Sequence, residues 1–184
     1  MHRAVRNIPV AQLKAKVFAL PAELSRLGLS ARDASEQDGP FLRALYATAR
    51  PDAALLAQWP APAREAFLDS QFRFQSLGYR EAYPRADFLV LEQHGELVGR
   101  VILDRGPQEW CLVDIAFVPA VREQGLGTIM LRAIQAAAAA AGAAEVNLHV
   151  EIGNRARAFY ERLGFVETNS ESGAHIAMRW LAPS

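Results

Sequence analysis

The 184-residue chain has a single cysteine, Cys111. One thiol excludes an intramolecular disulfide and every zinc site that is built from paired cysteines. No apolar run approaches the roughly 20 residues that a membrane-spanning helix requires. Basic and acidic side chains balance at 20 each, so no excess charge indicates a nucleic-acid surface or a solvating tail. We therefore expect a cytoplasmic protein with no metal site, no membrane partner and no nucleic-acid partner.

Apolar residues make up 51% of the chain, which is typical of a folded domain and not of a disordered one. A chain of this length is expected to form one domain with a sizeable core. Residues 1–26 show no clear periodicity, and we interpret them as an N-terminal extension of unknown role. Residues 27–184 are expected to form the domain that carries the function.

Periodicity and turn residues divide this domain into helices and strands. A strand is expected in "LSARDAS", a helix in "DGPFLRALYATAR", and one or two helices in residues 51–84 with a break at residues 59–62. Two strands flank His94-Gly95, a hairpin signal. The remaining expected elements are a strand in "EWCLVDIAFVP", a helix over residues 125–141, a strand in "EVNLHVE", a helix in "NRARAFYERLG" capped by Asn154, and strands in "GFVET" and "SGAHIAMRW".

The unit from residue 109 to residue 165 reads strand, helix, strand, helix. Two strands joined through a helix pair in parallel by a right-handed crossover. If they are neighbours, both strand-to-helix turns open on the edge of the sheet where open α/β sheets bind ligands. Residues 122–128 and 153–160 are then expected to face one cleft.

The first of these turns lies in "VREQGLGTIML", residues 121–131. A helix N-terminus offers free backbone N–H groups and a partial positive charge, which suit a phosphate. Gly125 and Gly127 permit close approach of the backbone, Arg122 can add a charged contact, and Thr128 adds a hydroxyl. From these residues alone, an anion site and a turn that needs glycine only for its geometry remain equal alternatives. A P-loop and a dinucleotide fingerprint are excluded, because Thr128 follows Gly127 and Met130 stands in place of a third glycine.

Two motifs resemble those of the GCN5-related N-acetyltransferases (GNAT superfamily). "REQGLG" resembles the Arg/Gln-x-x-Gly-x-Gly/Ala acetyl-CoA signature of that family. "NRARAFYERLGF" resembles its closing motif, in which an asparagine and a tyrosine precede Gly-Phe. Both motifs occur in family order and at family spacing, and the likeness covers roughly residues 28–181. Asn154 precedes Tyr160 by six residues where seven is commoner, and Glu123 occupies a position where a small residue or glycine is frequent.

The resemblance implies an α/β fold with a mixed, mostly antiparallel seven-stranded sheet flanked by helices. A central parallel strand pair, residues 109–118 and 145–151, would be splayed to form a gap. The pantothenate arm of acetyl-CoA would lie in this gap and the pyrophosphate on the N–H groups of residues 122–128. The acetyl-CoA contacts implied in this way are Ile115, Ala116, Phe117, Val118, Arg122, Glu123, Gln124, Gly125, Leu126, Gly127, Thr128, Asn154 and Phe159.

Three residues are candidate catalytic groups. Tyr160 matches the family's usual general acid, which protonates the departing thiolate; the alternative is a core tyrosine on an amphipathic stripe. His149 lies where ribosomal-protein acetyltransferases of the family carry a glutamate, and the histidine reference pKa of about 6.5 suits a base. An ordinary, partly buried histidine is an equal alternative. Asp114 could be a base, an anchor for the acceptor ammonium or a structural hydrogen-bond acceptor, and we place the structural role first.

The function implied is transfer of acetyl from acetyl-CoA to a primary amine of a small molecule or protein by direct attack. The alternatives are a non-catalytic acyl-CoA-binding regulatory domain and, more weakly, a module for another phosphorylated ligand. The acceptor is expected against residues 55–84, where one or two aromatic side chains would line its pocket. The acceptor's identity stays open, as does the choice of His149, Asp114 or water as base. A homodimer is also left open.

Overall fold

The computed structural model describes residue 18 and residues 20–50, 52–168 and 174–183. Residues 1–17, which form most of the predicted N-terminal extension, lie outside the described residues. Within the last part of that segment, Phe18 is buried and packs edge to face on Trp110, with ring centroids 6.2 Å apart. Leu24 is buried beside Leu29 in a second apolar cluster. The described end of the segment therefore packs on the domain, and the boundary at residue 26 stays a prediction.

Six α-helices and seven strands make up the described residues, with short 3₁₀ turns at Glu36–Asp38 and Pro119–Val121. In chain order they are α1 (Ala22–Ser25), β1 (Leu29–Asp33), α2 (Gly39–Ala49), α3 (Ala53–Leu56), α4 (Ala61–Ala82), β2 (Asp87–Gln93), β3 (Glu96–Arg105), β4 (Glu109–Phe117), α5 (Leu126–Ala140), β5 (Glu145–Glu151), α6 (Ala156–Arg162), β6 (Val166–Glu167) and β7 (His175–Leu181).

The seven strands form one sheet in the order β1-β2-β3-β4-β5-β7-β6. Every neighbouring pair is antiparallel except β4 and β5, which are parallel. Because α5 lies between β4 and β5 in the chain, this pair is the predicted crossover unit. The structure thus confirms the expected mixed, mostly antiparallel seven-stranded sheet with a central parallel pair.

The parallel pair is hydrogen-bonded over only part of its length. The register runs from Glu109 opposite Glu145 to Leu112 opposite Leu148 and stops there. Beyond that point β4 continues beside β3, and β5 continues beside β7 as far as Glu151. The carboxyl ends of the two strands therefore diverge, and the sheet has an opening at the edge where the turns before α5 and α6 lie.

Side-chain alternation along β5 separates the core from this opening. Val146, Leu148 and Val150 are buried in the main core cluster, which also contains apolar residues of α5. Successive strand residues point to opposite faces of a sheet, so His149 and Glu151 lie on the face away from α5. The helices α2, α3 and α4 pack together through Tyr46, Leu56 and Leu68 in a separate cluster. Tyr46 and Ala49 of α2 and Gln75 and Tyr79 of α4 line the other side of the opening.

Candidate active site

A cavity of about 480 Å³ occupies the opening between β4 and β5. Its walls include all three candidate catalytic residues, Asp114 from β4, His149 from β5 and Tyr160 from α6. These residues are far apart in the chain, and the divergence of the parallel strands is what gives them a common space. An opening is therefore present at the carboxyl ends of the strands. Of the two segments expected to face one cleft, residues 153–160 contribute Asn154, Ala156 and Tyr160 to the described lining, and residues 122–128 contribute none. That the glycine-rich turn faces the same cleft stays a prediction.

Asp114 is held by an arginine of the neighbouring strand. The Nε atom of Arg100 donates a hydrogen bond of 2.7 Å to the Asp114 carboxylate, and Nη2 donates one of 3.3 Å to Gln75 of α4. Arg100 is buried, so its charge needs this carboxylate partner. The ion pair supports the structural role for Asp114, and a direct catalytic role stays a prediction.

Tyr160 presents its phenol to the cavity from a largely buried position. Its ring packs against Phe159 and Phe165, with ring centroids 5.5 and 5.9 Å away. Burial, with a smaller contribution from the negative charge of Asp114, raises the pKa of Tyr160 to about 12. Because the group keeps its proton throughout the neutral range, it can act there as a proton donor and not as a base.

His149 is exposed at the cavity wall. It lies opposite Ala177 of β7, whose side chain offers no polar group. Within the described part of the chain, the His149 imidazole has no hydrogen-bond partner. The ring is therefore available to a ligand in the cavity, in contrast to the carboxylate of Asp114.

The glycine-rich turn begins after the 3₁₀ turn Pro119–Val121 and continues into α5. Glu123 and Gly125 have positive φ values of 61° and 81°. This left-handed conformation is the one glycine favours, which explains why an acidic residue is unusual at position 123. A Cβ atom on Gly127 would lie 3.3 Å from Cζ of Phe159, so this glycine lets α5 pack on α6. Phe159 thus lies beside the turn, as its assignment to the coenzyme contacts requires.

Six successive backbone N–H groups at this turn lack an acceptor among the described residues. Among the described residues we find no acceptor for the N–H groups of residues 123–128, and the first bond of α5 runs from Ile129 to the Gly125 carbonyl. A helix N-terminus of this kind carries partial positive charge and unsatisfied donors. Gly125 and Gly127 are therefore explained by the geometry of the turn, and the hydrogen-bond donors that could bind an anion are backbone N–H groups.

Arg122 uses its guanidinium within the fold. Its Nε donates to the Phe117 carbonyl at 2.8 Å, and its Nη2 lies 3.2 Å from both the carbonyl and the hydroxyl oxygen of Thr48. Thr48 belongs to α2, so these bonds fasten the turn to that helix. A contact from Arg122 to a phosphate stays a prediction. Gln124 is similarly turned toward the backbone, because its Nε2 donates to the Ala120 carbonyl at 2.8 Å.

The strand residues assigned to the pantothenate arm divide into two groups. Ile115 and Ala116 line the cavity. The Phe117 carbonyl accepts from Arg122, and the Val118 N–H donates to the Val98 carbonyl at 2.9 Å. Asn154 also lines the cavity, and its Oδ1 accepts a bond of 2.9 Å from the Ala156 N–H at the start of α6. The N-cap position of α6 is Arg155, one residue after the expected Asn154.

The far wall of the cavity consists mainly of residues that sequence reasoning did not single out. Arg50, just after α2, forms an ion pair of 2.7 Å with Asp52 and contacts the Tyr46 hydroxyl. Of the aromatic residues in the segment 55–84, Tyr79 lines the cavity, and burial raises its pKa to about 12. Gln75 of α4 lies on the same side, whereas Arg100, Glu151 and His175 line the cavity from β3, β5 and β7. The Arg-x-Asp spacing at the break between α2 and α3 is the sequence feature that could have predicted the Arg50–Asp52 ion pair.

The described residues contain neither a membrane-spanning helix nor a metal-binding cluster. None of their helices is long and apolar enough to cross a membrane. They contain no group of three or more His, Cys, Asp or Glu side chains placed to hold a metal ion. Burial raises the pKa of Cys111 to about 11, so this thiol is protonated and unreactive near neutral pH.

The sequence matches the acetyltransferase (GNAT) family over residues 43–165. This match spans both the glycine-rich turn and the Asn154–Phe165 motif, and it covers more than half of the chain. No match was found among curated proteins.

Solved structures of acetyltransferases share the fold. The PaiA N-acetyltransferase of Thermoplasma acidophilum, in complex with coenzyme A, is 16% identical with a TM-score of 0.62, covering 83% of this chain and 98% of its own. The ribosomal-protein-S18-alanine N-acetyltransferase of Escherichia coli is 23% identical with a TM-score of 0.57, covering 85% and 95%. An acetyltransferase of Thermus thermophilus is 21% identical with a TM-score of 0.61, covering 84% and 97%. At these identities the likeness is one of fold.

Proposed function

The chain belongs to the acetyltransferase (GNAT) family, and we propose that this acyltransferase moves the acetyl group of acetyl-CoA onto a primary amine of a small molecule or protein. The observation that carries the proposal is the run of free N–H groups at residues 123–128 beside the opening between β4 and β5. A phosphate-bearing ligand would be held at the turn while its other end reaches the cavity that Tyr160 lines.

In this proposal the pyrophosphate of acetyl-CoA lies on the turn, bound by backbone donors and by the partial positive charge at the start of α5. The pantothenate arm enters the gap along Ile115–Val118, and the thioester reaches the cavity near Tyr160. A known GNAT structure with coenzyme A bound supports the choice of ligand. Asn154 accepts a hydrogen bond from the first residue of α6, and Phe159 of α6 lies beside Gly127, which supports their assignment to the coenzyme contacts.

The reaction would be direct attack by the amine on the thioester carbonyl. A C–N bond forms, the C–S bond breaks, the attacking nitrogen gives up a proton and the departing thiolate gains one. Tyr160 is protonated and buried beside the cavity, which supports its role as donor to the sulfur. His149 has an unengaged imidazole on the opposite wall, which supports it as base over the Asp114 carboxylate that Arg100 holds. The main contribution of the site is alignment of the two reactants.

Two measurements test the proposal. Acetyl-CoA at a hundred times its dissociation constant should stabilise the protein by about 2.7 kcal/mol, because it binds only the native state. Release of coenzyme A is then followed across a panel of primary amines, with the amine-free rate as control. The panel includes a peptide with an N-terminal alanine, because the name of one structural relative specifies that acceptor.

The outcomes separate the alternatives. Stabilisation together with amine-dependent thiol release supports the transferase. Stabilisation without release from any amine would favour the regulatory domain that only binds acyl-CoA. Absence of stabilisation by acetyl-CoA would remove both and leave the module for another phosphorylated ligand.

A further inference from the structure

We propose that the acceptor carries a second cationic group in addition to the amine that reacts, and that Glu151 binds this group. The inference rests on the proposed transferase function and adds the chemical class of the acceptor. It concerns the part of the cavity wall that β5 and β7 form.

Three carboxylates line the cavity, and two of them are already neutralised. Asp52 is paired with Arg50 and Asp114 with Arg100, each at 2.7 Å. Glu151 has no ion-pair partner in the part of the chain that the structure describes. Both arginines of the cavity are engaged by these aspartates, so Glu151 is the carboxylate left with its charge uncompensated.

Glu151 is well placed relative to the candidate catalytic groups. It is the last residue of β5 and follows His149 by two positions on the same face of the sheet. A strand rises about 3.4 Å per residue, so the two Cα atoms are about 7 Å apart. Burial is the main cause of the raised pKa of Tyr79 on α4, and the negative charge of Glu151 adds a smaller contribution in the same direction.

The residue opposite Glu151 on β7 is His175, which lines the same cavity. A histidine side chain can donate a hydrogen bond. The Glu151 variants described below leave His175 in place, so a difference in acceptor preference between them and the wild type reports on the carboxylate.

The geometry points to a second positive group because the reacting nitrogen must lose its charge before it attacks. Once the reacting nitrogen beside His149 is neutral, it cannot form an ion pair with the Glu151 carboxylate. An ammonium further along the acceptor can, and an acceptor with a carboxylate at that place would meet like charge. The expected class is a diamine or another amine with two cationic groups.

The experiment compares three acceptors with the same four-carbon chain: putrescine, n-butylamine and γ-aminobutyrate. Coenzyme A release at pH 8 and saturating acetyl-CoA gives kcat and KM for each. An exposed ion pair contributes up to about 1 kcal/mol, so we expect putrescine to exceed butylamine about fivefold in kcat/KM, with γ-aminobutyrate slowest. Glu151→Gln should raise the KM for putrescine to that for butylamine and leave kcat and the acetyl-CoA affinity unchanged.

Two further variants control the result. Glu145→Gln makes the same substitution at the other end of β5, where the residue pairs weakly with Arg179 and does not line the cavity; it should keep the preference. Glu151→Lys reverses the charge and should make γ-aminobutyrate the better acceptor. Thermal denaturation of each variant checks that it is folded.

The inference is overturned if the wild-type protein acetylates butylamine as well as putrescine, or if Glu151→Gln keeps the preference for the diamine. In either of these two outcomes, release of coenzyme A with butylamine would still support the transferase function, because it shows that an amine is acetylated. No release with any of the three amines also overturns the inference, and the wider amine panel then decides the function independently.

Discussion

Substitution of Tyr160 by phenylalanine removes one hydroxyl and little else. The ring contacts with Phe159 and Phe165 stay, and so do the bonds that the Tyr160 carbonyl accepts from the N–H groups of Leu163 and Phe165. Among the described residues the hydroxyl has no hydrogen-bond partner that would be orphaned. We therefore expect the free energy of unfolding to change by less than about 1 kcal/mol. The acetyl-CoA affinity should also be kept, because the proposed role of the Tyr160 hydroxyl is in the reaction and not in holding the coenzyme.

The size of the effect on turnover follows from two pKa values. A well-placed general acid contributes about 10²- to 10⁴-fold. The pKa of Tyr160 is about 12, against a reference of about 8.5 for a thiol, so complete transfer of its proton to a thiolate is uphill by about 5 kcal/mol. Tyr160 is then expected to assist by donating a hydrogen bond as the sulfur gains charge. The loss in kcat for Tyr160→Phe should lie near the lower limit, about a hundredfold or 2.7 kcal/mol.

Steady-state kinetics and a pH profile check this reasoning. Tyr83→Phe is the matched control, because Tyr83 shares a hydrogen bond with Cys111 and does not line the cavity; its turnover should equal that of the wild type. The wild-type kcat should show no descending limb from Tyr160 below about pH 11. Unchanged turnover in Tyr160→Phe would refute the role as donor. A descending limb near pH 10 that this variant abolishes would refute the raised pKa.

Three other substitutions test contacts away from the proposed reacting atoms. Arg122 is expected to act by fastening the turn to α2 through Thr48, so Arg122→Gln and Thr48→Val should each weaken coenzyme A binding. Because the two residues share one contact, their effects on the binding free energy, measured by calorimetry, should be non-additive in a double-mutant cycle. Wild-type affinity in Thr48→Val would contradict this role. Asp38→Asn should lower stability by about 1–3 kcal/mol, because buried Asp38 accepts two bonds from the half-exposed Arg32. Arg32 holds the pKa of Asp38 well below its usual value, so this stability is present above about pH 4 and is lost as the pH falls further. Urea denaturation should accordingly show a weaker acid dependence in the variant, and an unchanged one would contradict the assignment.

Elements defined by local sequence were the easiest to predict. The strand expected in "EVNLHVE" coincides with β5, and the expected hairpin turn is His94–Gly95, where both residues have positive φ. Gly142 follows the alanine-rich α5 in the left-handed conformation that ends helices. The strand expected in "GFVET" is shorter, because Gly164 still belongs to the turn that ends α6 and β6 contains only Val166–Glu167. Periodicity and capping residues act over a few positions, which is why these boundaries are readable.

The order of strands and helices predicts that Asp114, His149 and Tyr160 lie close together. It does not predict which side chains form hydrogen bonds with them. Arg100 and Asp114 are 14 residues apart on adjacent strands, and their contact depends on a register that shifts at a bulge between Ile102 and Leu103. Such a register is set by the packed sheet and not by either strand alone.

In the proposed function, donor and acceptor recognition depend on different physical groups. The proposed donor site uses backbone N–H groups and the N-terminal end of α5, which any sequence that forms this turn would supply. Arg122, the charged residue of the motif, is directed to Phe117 and to Thr48, 74 residues away in the chain. The proposed acceptor wall instead depends on charged side chains from several elements. The charges of Arg50 and Asp52 and of Arg100 and Asp114 neutralise each other, and the carboxylate of Glu151 has no such partner among the described residues. A short motif can therefore predict the donor, whereas the acceptor can be inferred only after the charges of the folded cavity have been paired.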